Sequence, residues 1–194
     1  MSIVSFIVIA IALGISVMLL MRRCADAVSV PLSSGLLISL TLAVVHAVLF
    51  LLGIFLGNML RFELPDNPMA FSRPNAFVFL GLALVVAVRL LWPYMGRKTT
   101  PVAYDLSAGT FRVLLFTVAS GINGFLLGIG AGFVALLTDS LHSALWPLLV
   151  TTMLFSYLGI MYGRQHVQLR PRRWMAVSGL IIIVAAIAAV VNAG

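Results

Sequence analysis

The sequence predicts an all-α integral membrane protein of six transmembrane helices, arranged as two inverted three-helix repeats. Three observations predict this. Of the 194 residues, 62% are hydrophobic and only 9% are charged, where a soluble domain carries about 25% charged residues. The apolar residues gather in six stretches, each close to the roughly 20 residues that a helix needs to cross a bilayer. Short motifs in the first three stretches return, in the same order, in the last three. The connections leave no room for a separate soluble domain, so residues 1–194 are expected to form one transmembrane domain.

The first span is expected from Ile3 to Met21. Its arginines, Arg22 and Arg23, follow the apolar run rather than precede it. A cleaved signal peptide has the opposite order, so this segment is expected to stay as a helix. The second span is expected over Ser34–Met59 and the third over Asn75–Tyr94. A loop from Asn58 to Pro74, with Pro65, Pro68, Pro74, Glu63 and Asp66, separates them and is expected to be irregular. The fourth, fifth and sixth spans are expected over Phe111–Leu137, Leu141–Tyr162 and Trp174–Val191.

The loops orient the chain. Arg22, Arg23, Arg97, Lys98, Arg112, Arg164, Arg170, Arg172 and Arg173 follow odd-numbered spans, whereas the other side has only Arg61 and Arg73. The basic side faces the cytoplasm in multi-pass proteins. Both termini are therefore expected outside the cytoplasmic membrane. The formal charge of +7 is explained by this bias and implies no nucleic-acid partner. Trp92, Tyr94, Tyr162 and Trp174 near one interface, and Trp146 near the other, read as anchoring aromatic belts. The lone Cys24 excludes an internal disulfide.

The repeat is legible in three matches. Ala12-Leu13-Gly14-Ile15-Ser16 matches Ala119-Ser120-Gly121-Ile122-Asn123, and Leu52-Gly53-Ile54-Phe55-Leu56-Gly57 matches Leu158-Gly159-Ile160-Met161-Tyr162-Gly163. Gly81-Leu82 matches Gly179-Leu180. Repeats of about residues 3–95 and 110–193, each with three helices, must enter the membrane in opposite senses, as in many secondary transporters. Gly124, Gly128 and Gly132 recur at intervals of four, as do Gly53 and Gly57, and Gly159 and Gly163. This spacing lines one helix face with hydrogen and lets backbones approach. Packing inside the bundle is the expected use, and dimerisation the alternative. The lipid bilayer is the expected partner, with a second copy or another membrane protein beside it.

Polar groups inside spans are costly and often functional. Ser16 and Asn123 hold equivalent places in the two repeats, and His46 lies halfway along the second span. An imidazole there can bind a cation, relay a proton or bond a neighbouring carbonyl, and His46 is the candidate metal ligand. Arg89 lies near the end of the third span, where its side chain can reach the interface. Asp26, Glu63, Asp66, Asp105 and Asp139 all fall in loops or at span ends. Hard dications prefer oxygen ligands that include carboxylates, and no span supplies one. No phosphate loop, zinc signature or nucleophile–base pair is present, so neither an enzyme nor a cofactor is expected.

Leu114 to Val191, through the runs LLFTVASGINGFLLGIG, YLGIMYGR and RRWMAVSGL, resembles the bacterial manganese efflux pump family of the lysine-exporter superfamily. The likeness extends over essentially the whole chain. It implies six helices in two three-helix repeats, with an aspartate in an Asp-Ala-hydrophobic-Ala motif on the first and fourth helices. Here Ser16-Val17-Met18-Leu19 and Asn123-Gly124-Phe125-Leu126 stand in those places. Glutamates that the family carries in the second helix and at the start of the sixth correspond to His46 and Met175. The resemblance thus implies a transporter of the bacterial inner membrane with an altered substrate, a metal cation or small solute, and a pathway lined by Ser16, His46, Asn123 and Met175. The joint loss of four acidic positions also suits a non-transporting subunit that reuses the fold in a membrane complex.

The charge asymmetry generates a topological prediction. A cysteine introduced at Gly194 should react with an impermeant thiol reagent added to intact cells. Labelling that appears only after lysis would reverse the orientation.

Overall fold

The computed structural model describes residues 3–27, 32–60, 72–95, 110–134, 137–167 and 170–191. They form six helices: α1 (Ile3–Ala27), α2 (Leu32–Met59), α3 (Ser72–Met95), α4 (Thr110–Val134), α5 (Leu137–Arg164) and α6 (Pro171–Val191). Among the described residues there is no strand. Five helices are long and apolar enough to cross a membrane; in α6 the apolar run is the shorter Arg173–Ala188. Residues 61–71 of the proline-bearing loop, and Arg97, Lys98 and Asp105, lie outside the described residues.

The helices outrun the apolar stretches that announce them. α1 continues through Arg22 and Arg23 to Ala27, and α5 begins at Leu137 and runs to Arg164. Helical hydrogen bonding does not stop where hydrocarbon stops, because the backbone bonds of the next turn are equally available in the headgroup region. α4 is described as far as Val134. Pro147 lies inside α5. It has no N–H to donate to the preceding turn.

The side chains sort by chemistry in a sense opposite to that of a water-soluble bundle. On α2, Leu36, Leu37, Leu40, Val44, Val48, Leu52 and Phe55 point outward, while Ser39, His46, Gly53 and Gly57 are buried. On α6, Leu180, Val184, Ile187 and Val191 point outward and Ser178 is buried. Outward leucine is unfavourable in water and indifferent in lipid, whereas an outward hydroxyl is unfavourable in lipid. Trp92 and Trp174 are exposed near helix ends, and Trp146 is exposed at the start of the apolar run of α5. Arg89 is exposed on α3, six residues before the helix ends.

α1 packs along α5 and α2 along α4; α3 packs on α4 and α6, α2 also on α5, and α1 also on α6. The α2–α4 contact is made by backbone. A Cβ on Gly53 would strike the Phe125 carbonyl oxygen and lie 2.8 Å from the Ile129 nitrogen. A Cβ on Gly57 would strike the Ile129 oxygen and lie 3.1 Å from Gly132 Cα. From the other side, a Cβ on Gly128 would strike the Phe50 oxygen and one on Gly132 the Ile54 oxygen. Gly53 therefore meets Gly128 and Gly57 meets Gly132, so the two helices run in the same direction. α1 and α5 also run in parallel, because Gly14 faces Phe155 and Gly159 lies against the Met18 backbone. Gly124 stands apart from this seam, with its nearest neighbour the Leu13 side chain at 3.9 Å. Gly163 is buried.

The seam predicts an asymmetric response to one added methyl. Gly128→Ala or Gly132→Ala should destabilise the protein by about 1–3 kcal/mol, since backbone rather than a flexible side chain must move. Gly81→Ala meets nothing within 4 Å and should gain up to about 1 kcal/mol of helix propensity. Denaturation in mixed detergent micelles reads the difference; equal effects at both sites would remove the seam from the account of stability.

Candidate functional site

His46 is fixed on both sides of its ring. It is 2% exposed, in the middle of α2. Its Nδ1 lies 2.8 Å from the carbonyl oxygen of Leu42, one turn earlier on the same helix. Its Nε2 lies 3.2 Å from the hydroxyl oxygen of Ser120 on α4. Ser120 in turn donates to the Thr117 carbonyl at 2.7 Å. Gly121 makes this approach possible: a Cβ there would strike the Leu49 side chain and sit 3.6 Å from His46 Cδ2.

Further polar side chains lie on α4, α1, α6 and α5. Asn123 follows Ser120 by one turn, and its carboxamide oxygen is buried with no hydrogen-bond partner among the described residues. Beside it, Gly124 faces Leu13, where α4 comes near α1. On α1, Ser16 donates to the Leu13 carbonyl at 2.7 Å. Ser178 of α6 donates to the Ala12 carbonyl at 2.7 Å, joining α6 to α1. Thr152 of α5 is fully buried, and its hydroxyl oxygen has no partner among the described residues. Because Gly14 faces Phe155 in a parallel pair, Thr152 lies level with the middle of α1. Met175, 8% exposed, belongs to the same core cluster as Ile15 and Met18.

The structure therefore brings His46 and Ser120 into contact and places Asn123 one turn away. Ser16 turns its hydroxyl to its own helix, so among the described residues Ser16 and Asn123 do not bond each other. Met175 contributes a thioether in an apolar cluster rather than a polar partner. Three belt residues escape a reading of the sequence alone: Ser120, Thr152 and Ser178. Two of them had a signal. Ser120 precedes Asn123 by three positions, one helical turn. Thr152 lies 106 positions after His46, the offset that relates Gly53 to Gly159.

Chemically, the belt is rich in neutral acceptors and lacks negative charge. Among the described residues no three His, Cys, Asp or Glu side chains converge as a metal cage would require. Two buried oxygens without partners each cost about 1–3 kcal/mol, and a ligand that donates hydrogen bonds or carries modest positive charge would recover it.

Aliphatic groups turned to lipid, with imidazole, amide and hydroxyls collected at mid-height inside, are the layout of a multi-pass membrane transport protein. A family model described as "Putative manganese efflux pump" matches residues 29–190, and the chain belongs to that family. The match includes His46, Asn123 and Met175 and begins after α1, so Ser16 lies outside it. Searches of curated proteins and of solved structures find no match.

The two hydroxyls predict opposite stability effects. Thr152→Val removes an unpartnered oxygen and should leave stability unchanged or raise it by about 1 kcal/mol. Ser178→Ala deletes the bond to Ala12 and should lower stability by about 1 kcal/mol. Thermal unfolding in detergent compares them; clear destabilisation by Thr152→Val would mean that its hydroxyl has a structural partner.

Proposed function

We propose that this chain is an exporter of the manganese-efflux type whose cargo has changed, working in the bacterial cytoplasmic membrane with both termini outside. The observation that carries this reading is the pair of buried oxygens on Asn123, one turn along α4 from Ser120, and on Thr152 of α5, neither with a partner among the described residues. A bundle without a ligand would gain by making those positions apolar. Their retention at mid-height is what a cargo site needs. Ser16, His46, Asn123 and Met175 line the proposed pathway, and Thr152 joins them.

The cargo follows from charge. A dication that leaves water needs its shell replaced by groups with compensating charge. Ser16, Asn123 and Thr152 offer dipoles only, and His46, with both ring nitrogens partnered, adds no negative charge. A singly charged or softer cation, or a small neutral or zwitterionic solute, fits better than manganese.

The proposed motion uses six spans as two inverted repeats. Exchanging α1 with α4, α2 with α5 and α3 with α6 maps the packed helix pairs onto one another: α1–α5 becomes α4–α2, and α3–α4 becomes α6–α1. Contacts follow at the motif offsets. Gly53 lies against the Phe125 backbone and Gly159 against that of Met18; Gly121 faces Leu49 and Gly14 faces Phe155. The third motif gives no such support, since Gly179 lies near Ala87 and Gly81 is open. Superposed repeats should require rotation about an axis in the membrane plane, with rocking of one half against the other opening the site to each side in turn.

A second reading has its own observation. Ser16 and His46 complete hydrogen bonds inside the bundle, as they would in a subunit that transports nothing. Purification in mild detergent separates the readings, since a stable partner protein favours the subunit. Vesicle transport assays test the exporter: if no metal or small solute moves and His46→Ala changes nothing, it fails.

Restoring charge tests the cargo argument. The parent should give a manganese-sensitive host no protection. The triple variant Ser16→Asp, Asn123→Asp, His46→Glu should give measurable manganese tolerance. Strong protection by the parent would show that carboxylates are dispensable here.

A further inference from the structure

The hydrogen atoms around His46 can be counted. Leu42 offers only a carbonyl oxygen at 2.8 Å, so Nδ1 must carry a hydrogen. Ser120 has one hydroxyl hydrogen and two acceptors in reach, the Thr117 oxygen at 2.7 Å and His46 Nε2 at 3.2 Å. With a neutral ring, that hydrogen can turn to Nε2. With a protonated ring, Nε2–H donates to Ser120 and the hydroxyl hydrogen turns to Thr117. The same heavy-atom positions serve both states.

We propose that the His46–Ser120 pair is a reversible proton-binding site inside the bundle, and that its proton is the ion exchanged against the cargo. The second clause rests on the export reading above; the first does not. Uptake adds one proton to Nε2 and one unit of positive charge, and the only other change is rotation of the Ser120 hydroxyl. No bond in the chain is broken.

Among the described residues, nothing nearby neutralises that charge. α2 itself carries no Asp, Glu, Lys or Arg. α4 and α5 are the helices packed against it. On α4 the charged residue is Arg112, eight positions before Ser120. On α5, Asp139, His142 and Arg164 lie toward the two ends, and Tyr157 and Tyr162 are the titratable groups between them. A protonated His46 therefore repels a cation held at Asn123, one turn from Ser120, and a bound cation opposes protonation. Mutual exclusion of two positive charges at one site is the condition for exchange rather than co-transport. It also gives Ser120 a specific task, as the one partner that accepts from the protonated ring and donates to the neutral one.

The test reads the proton directly. Protein labelled with ¹⁵N-histidine is placed in liposomes of phosphatidylethanolamine and phosphatidylglycerol and examined by solid-state NMR. His46→Gln identifies the His46 signals by difference from those of His142 and His166. The expected result is a neutral ring with its hydrogen on Nδ1, converting reversibly on acidification to a ring with both nitrogens protonated. Ser120→Ala should require more acid to reach the same fraction, because the protonated ring loses its acceptor. A neutral ring with its hydrogen on Nε2, no conversion between about pH 4 and pH 9, or a Ser120→Ala titration that overlays the parent would overturn the proton site. Exchange is tested in the same liposomes with trapped pyranine and potassium, zinc or manganese ions added outside. Cation entry should make the lumen more alkaline, and cation entry without proton movement would overturn exchange. If no cation enters at all, the export reading loses its support while the NMR result still decides the proton site.

Discussion

Gly53, Gly57, Gly128 and Gly132 hold α2 and α4 at a separation that no other residue type would permit. Lipid offers little hydrophobic drive for two helices to meet, since a leucine is as well solvated by acyl chains as by another leucine. What remains is close contact between backbones, and glycine supplies it. That contact sets the distance at which a histidine on α2 can reach a serine on α4. His46 and Ser120 lie just before the glycine seam along their helices, where Gly121 keeps the gap narrow. With the two backbones further apart, the imidazole and the hydroxyl would both be orphaned in hydrocarbon.

The two most closely packed helix pairs differ. On the α1–α5 side, Gly159 alone meets backbone, while Gly14 meets the ring of Phe155. A flexible ring can yield where a carbonyl cannot. The α1–α5 pair therefore has more freedom to slide than the α2–α4 pair. Polar content is unequal in the same way: α2 and α4 share a completed hydrogen-bond chain, whereas α5 presents a hydroxyl with nothing to bond.

Helix existence and order were readable from hydropathy, because an apolar run near 20 residues has few alternatives in a chain with so little charge. Helix ends were less readable. Arg22 and Arg23 mark the end of the hydrocarbon, yet α1 continues to Ala27. The glycine intervals were visible, but which helix each would meet depends on tertiary placement that spacing does not encode. His46 and Asn123 stood out because imidazole and carboxamide are rare in spans. Ser120, Thr152 and Ser178 did not, because small hydroxyls commonly bond their own helix and so carry little signal. Ser16 does just that.

The apolar length of α2 bears on the membrane itself. Its apolar run covers Ser34–Met59, about 39 Å at 1.5 Å per residue. A hydrocarbon core of about 30 Å is shorter than that. α2 must lean, protrude into the headgroups, or draw a thicker rim of lipid around itself. Long, extended acyl chains would collect beside it, and bilayer thickness becomes a variable that the helix bundle senses through the tilt of α2.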